Sequence, residues 1–176
     1  MTSNVVLLFD ALAIALAASV LDVQQHRIPN WINYPTMVGG VLLRIYFYGW
    51  HGLLTALGGI LVAGGLVFVF YAVHALGGGD VKLLAALGAM VGPYDAINIL
   101  LATGIAGGIL ALVYSAYRGR IRATLANVGS LMSFHAWAGL RSHPDLTLDN
   151  PEALRMPYGL AIAAGTLYAF ITALGR

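Results

Sequence analysis

Residues 53–91 read LLTALGGILVAGGLVFVFYAVHALGGGDVKLLAALGAMV, a run whose only charged side chains are Asp80 and Lys82. Its first part, 53–76, has the length of a membrane-crossing helix, which takes about 20 apolar residues. In lipid each backbone polar group must be satisfied within the segment, so an isolated crossing run is helical. Gly77-Gly78-Gly79 then interrupts the run, and apolar residues resume over 81–91. At about 1.5 Å per residue that second part reaches only about 17 Å, too short to cross without distortion.

The rest of the 176-residue chain has the same character: 60% of residues are hydrophobic and 9% are charged. A soluble domain carries about 25% charged residues, because its surface faces water. Nine basic and seven acidic side chains do not coat a chain of this size. The composition specifies an all-α integral membrane protein. Apolar runs at 5–21, 31–50, 53–76, 81–91, 93–117 and 156–174 predict a bundle of six transmembrane helices in one domain, 1–176. A long loop, 118–155, joins the fifth and sixth.

Arg44 lies inside the second run, close enough to its end to snorkel outward. Residues 121–140 mix apolar and polar side chains, as in an amphipathic helix lying on the membrane. Gly88 with Gly92, and Gly104 with Gly108, have the spacing that lets helix backbones pack closely in lipid. The apolar N-terminal run lacks a basic leading region and is interrupted by Asp10, so it reads as a span rather than a cleaved signal.

Six crossings put the first, third and fifth connections on one side. Those connections hold Arg27, Lys82, Arg118, Arg120, Arg122, Arg141 and Arg155, whereas the other side has Arg44 and Arg176. Positive charge collects on the cytoplasmic face. The long loop is therefore expected in the cytoplasm and both termini outside.

A net charge of +2 with no basic, aromatic-interleaved patch excludes nucleic acid as a partner. The chain has no cysteine, and its five histidines are too scattered for a helical metal site. Neither a metal nor a cofactor is expected.

Charge at membrane depth is costly and asks for a reason. Asp10 and Asp95 fall near the outer interface. Asp22 ends the first run and Asp80 precedes the fourth, so a hairpin of two spans returns both to the cytoplasmic face. Two adjacent carboxylates cannot both ionise cheaply and hold one proton between them. The ionised member can take a proton from water while the other donates one to a peptide carbonyl. A structural polar contact, or an ion-coordinating pair in a small transporter or channel, uses the same two residues. Gly77, Gly78 and Gly79 admit a substrate backbone or simply form a turn. Arg27 and Lys82 tune the pair or only set topology.

The segment from Asp22 to Asn30, DVQQHRIPN, resembles the first aspartate motif of type IV prepilin peptidases. Gly77-Gly78-Gly79-Asp80-Val81-Lys82-Leu83 resembles their second, the GxGD signature with its lysine, and 156–163, MPYGLAIA, is similar to the opening of their last helix. The resemblance implies a membrane aspartic endopeptidase, with Asp22 and Asp80 as its catalytic pair. Such an enzyme removes the basic leader of a prepilin or pseudopilin at the cytoplasmic face of a prokaryotic inner membrane. Its partners are then that substrate and the lipid bilayer. Large family members add a cysteine-bearing region and methylate the new N-terminus. This cysteine-free chain looks like the short form that accompanies tight-adherence (Flp) pili, with archaeal preflagellin peptidases sharing the core motifs. The presenilin group also has a GxGD aspartate, but its Tyr-Asp motif comes earlier in the chain, whereas Tyr94-Asp95 here follows Asp80.

Overall fold

The computed structural model describes residues 3–74, 76–139, 141 and 156–175. All regular structure among them is helical. Helix α1 is Ser3–Gln25, and α2, Asn30–Ile60, runs through a π-helical turn, Leu61–Gly65, into α3, Leu66–Ala72. Then follow α4, Gly78–Tyr117, α5, Ile121–Ala138, and α6, Gly159–Leu174. Three helical stretches, Ser3–Gln25, Asn30–Ala72 and Gly78–Tyr117, are long and apolar enough to cross a membrane. Helix α6 is apolar and shorter.

Two of the three stretches are bent back on themselves at a glycine. At Gly49, φ is 59° and ψ −140°, a conformation that side-chain-bearing residues avoid. Arg44 and Thr55 lie on opposite sides of it, and Arg44 Nη1 donates to Thr55 Oγ1 at 2.8 Å. In an unbroken helix those residues are about 16 Å apart along the axis, so the chain has reversed. Gly92, with φ 81°, breaks α4 in the same way. Pro93 follows it, and a proline both lacks an N–H and disfavours helix in the residue before it. Leu84 and Thr103 line one cavity across this break, although a straight helix would hold them about 28 Å apart.

The core forms where these limbs meet. Helix α1 buries Leu8, Ala11, Ala15 and Ala18, spaced three or four apart, with Ser19 beside them, and Asp22 continues the same stripe. Helix α6 packs between α1 and α4, and α2 lies along α4. Backbones touch at Gly59 and Gly88, where a Cβ on either would collide with the other's carbonyl. Gly92 also packs closely, but Gly104 and Gly108 face open space; in that turn it is Gly107 that receives a neighbour, the Tyr158 ring.

Arg44 does not snorkel. It is 7% exposed. Its Nε donates to the Met90 carbonyl at 2.9 Å, and its Nη2 to the Val91 carbonyl. Those are carbonyls left over where the first limb of α4 stops at Gly92, so the guanidinium caps that helix end. The Tyr48 ring covers it at 5.6 Å. A helix does form in the first half of the long loop, α5, over Ile121–Ala138. Asp145, Asp149, Glu152, Arg155 and Arg176 lie outside the described residues.

Candidate active site

Helix periodicity delivers Asp22 to the interior. It stands one heptad after Ala15 and four residues after Ala18, both fully buried, and is itself 6% exposed. Its Oδ2 accepts the backbone N–H of Gly159 at 2.8 Å. That amide is the first of α6, where the aligned peptide dipoles favour a negative partner. A Cβ at Gly159 would stand 3.0 Å from Asp22 Cβ and 3.1 Å from Ser19 Cα. Glycine therefore lets α6 close down on the carboxylate.

Asp80 is placed by the glycine break. Gly77 is the extended residue before α4, with φ −73° and ψ 144°. The Asp80 carboxylate folds back over it and accepts a hydrogen bond from its backbone, in the manner of the acidic residue of a capping box. A Cβ at Gly77 would stand 3.0 Å from Asp80 Oδ2.

Both aspartates line one cavity of about 300 Å³, with His26, Arg27, Ile28, Gly77, Gly78 and Gly79 as the rest of its wall. The charge of one carboxylate acts on the other across it. Gly79 backs onto Ile28, where a Cβ would lie 3.2 Å from the Ile28 carbonyl oxygen, and Gly78 abuts the Tyr71 ring. A chamber of this size, with two carboxylates and a glycine wall, has room for water and for an extended backbone.

Of the residues singled out by sequence, Asp22, Asp80, Arg27 and the three glycines come together here. Lys82 does not line the cavity. Its ammonium donates to Asn30 Oδ1 at 3.1 Å and lies 5.4 Å from the centre of the Tyr34 ring. Among the described residues no three His, Asp or Glu side chains gather as a metal site needs.

Three further residues of the site escape sequence reasoning. His26 lines the cavity with φ 51°, in the turn after α1. Asn33 is fully buried, and its Nδ2 reaches the Gly79 carbonyl at 3.4 Å. A polar side chain within an apolar run is a signal for that one. Gly159 contributes a backbone amide, which side-chain chemistry does not advertise.

Residues 10–112 match the model of the type IV leader peptidase family. The chain is 30% identical over 120 residues to a prepilin leader peptidase/N-methyltransferase of Burkholderia pseudomallei, covering 65% of this chain and 38% of that protein. A protein of the same name from Xanthomonas campestris pv. campestris is 28% identical over 128 residues, 69% of this chain and 45% of its own. One from Aeromonas salmonicida is 26% identical over 133 residues, 72% and 46% respectively. The chain thus spans less than half the length of these curated relatives. No solved structure matches it significantly.

Proposed function

The chain belongs to the type IV leader peptidase family, and from that premise we propose that it is a membrane aspartic endopeptidase that removes the N-terminal leader of type IV prepilins, of the Flp-like kind. The observation that carries the reading is the meeting of Asp22 and Asp80, 58 positions apart in sequence, on the wall of one small cavity. In the reaction, one carboxylate takes a proton from a water held between the two. The hydroxide adds to the scissile carbonyl as the other carboxylate protonates its oxygen. Collapse of the tetrahedral intermediate breaks the C–N bond: the departing amine takes the proton held by the first carboxylate, and a hydroxyl of the intermediate returns its proton to the second as the carbonyl re-forms. The Gly159 amide fixes the orientation of Asp22. Gly77, Gly78 and Gly79 leave space for the substrate backbone, and Arg27 meets polar groups at the cavity mouth.

The reversals at Gly49 and Gly92 support six crossings: 3–25, the two limbs of 30–72, the two limbs of 78–117, and 159–174. With the basic connections inside, both termini lie outside the inner membrane and the cavity opens at the cytoplasmic end of the bundle. The leader of a prepilin whose apolar helix lies in the bilayer then reaches the cavity from the cytoplasm.

Co-expression with candidate Flp-type prepilins, read by the intact mass of the pilin, tests this reading. Loss of the leader with the wild-type chain, and not with Asp22→Asn or Asp80→Asn, is the expected result. Processing by either variant overturns the two-aspartate mechanism. Failure on Flp-type, pseudopilin and preflagellin clients alike overturns the peptidase assignment.

A further inference from the structure

Helix α5 presents an apolar stripe that no other described residue of the bundle covers. Ile121, Leu125, Val128 and Met132 recur at intervals of four, three and four, the spacing of one helix face. They are 40%, 56%, 48% and 72% exposed. The opposite face carries Ala126, Ser130, Ser133 and Trp137, with Arg122 at its border. The inner side of α5 is tied down elsewhere: Ser115 Oγ and Thr124 Oγ1 share a hydrogen bond of 2.6 Å.

Two features identify what covers the stripe. Helix α5 begins four residues after α4, a membrane-crossing stretch, ends at Tyr117, so it starts where that stretch leaves the membrane. Arg118, Arg120 and Arg122 cluster at that junction, and no aspartate or glutamate occurs from 96 to 144. A basic cluster beside an apolar helix face matches a surface of anionic headgroups over hydrocarbon, each cation near such a surface adding to the attraction.

We propose that α5 lies in the headgroup layer of the protein's own bilayer, its Ile121–Leu125–Val128–Met132 stripe in the acyl region and its arginine cluster on anionic lipid. This placement is independent of the cleavage reading and holds whether or not the protein is a peptidase.

The natural sequence has no cysteine, so single cysteines at 121, 122, 125, 126, 128, 130, 132 and 133 each take one nitroxide label in the full chain. In bilayers containing phosphatidylglycerol, the four stripe positions should be about threefold more accessible to oxygen than to a water-soluble nickel relaxant, with the reverse at the other four. The contrast should shrink in pure phosphatidylcholine, and also in phosphatidylglycerol when Arg118→Gln, Arg120→Gln and Arg122→Gln are combined. Nickel access at all eight positions overturns the proposal by placing α5 in water. Protection of the stripe from both relaxants overturns it by placing protein there instead. A contrast equal in both lipids and unaffected by the three substitutions overturns the role of the arginines.

Discussion

The first limb of α4, from Gly78 to Gly92, meets a charged group at each end, and the two ends differ. At the Gly92 end the Arg44 guanidinium is spent on structure: it donates to two terminal carbonyls and to Thr55, beneath the Tyr48 ring. At the other end Asp80 faces Asp22 across a cavity walled by glycine. Burial of charge is common to both. What separates the end that holds the helix from the end proposed to do chemistry is the chamber: at one the side chain fills the space, at the other the space is kept open. Substitutions should separate the ends in the same way, activity falling at one and stability at the other.

The largest effect belongs to the carboxylates. Asp22→Asn and Asp80→Asn should each lower cleavage by a factor of at least ~10², the scale of acid–base catalysis, with membrane insertion unchanged. Because the proposed mechanism uses one ionised and one protonated carboxylate, the rate should fall on both sides of an optimum. Below it the second proton removes the base; above it loss of the shared proton removes the acid. A plateau extending to high pH would leave no role for the protonated member. A pH–rate profile in detergent or nanodiscs reads this directly.

Gly159→Ala comes next. The methyl group lands about 3.0 Å from Asp22 Cβ and pushes the carboxylate off its amide, a displacement that costs on the order of 10–100-fold when reacting groups move by an ångström. Wild-type turnover in that variant would remove the α6 amide from the mechanism. Arg44→Met tests the opposite end. It strips the capping donors from a buried helix terminus, at about 2–4 kcal/mol, so thermal stability should drop by several degrees. Turnover per folded molecule should stay within about twofold. A selective loss of turnover would erase the contrast between the ends. Lys82→Met should matter least: an exposed contact to Asn30 and Tyr34 contributes at most about 1 kcal/mol, and activity should change less than about threefold.

Much of this arrangement is written in side-chain pattern. The stripe of α1 points Asp22 inward, and Gly92-Pro93 marks the break that limits the fourth run. The reversal near Gly49 is foreshadowed by the aromatic, polar stretch around Trp50 and His51. What pattern does not carry is the backbone's part. The carbonyls that hold Arg44 and the amide that holds Asp22 belong to residues whose side chains say nothing of them. A lone arginine six positions from a span's end therefore reads as a snorkelling residue, and Gly159 as a packing residue. Lys82 sits beside Asp80 in sequence, but two residues along a helix turn a side chain by about 200°. That rotation directs it to Asn30 rather than to the cavity.

The central claim is that Asp22 and Asp80 act as one unit on one water. Cleavage rates of a prepilin by wild type, Asp22→Asn, Asp80→Asn and the double variant, all reconstituted in the same lipid nanodiscs, test it most directly. Groups that act as a unit are non-additive. The account predicts that each single substitution removes nearly all the rate and that the double variant is no slower than either. Losses that multiply in the double variant, or a single variant that retains substantial cleavage, would contradict it.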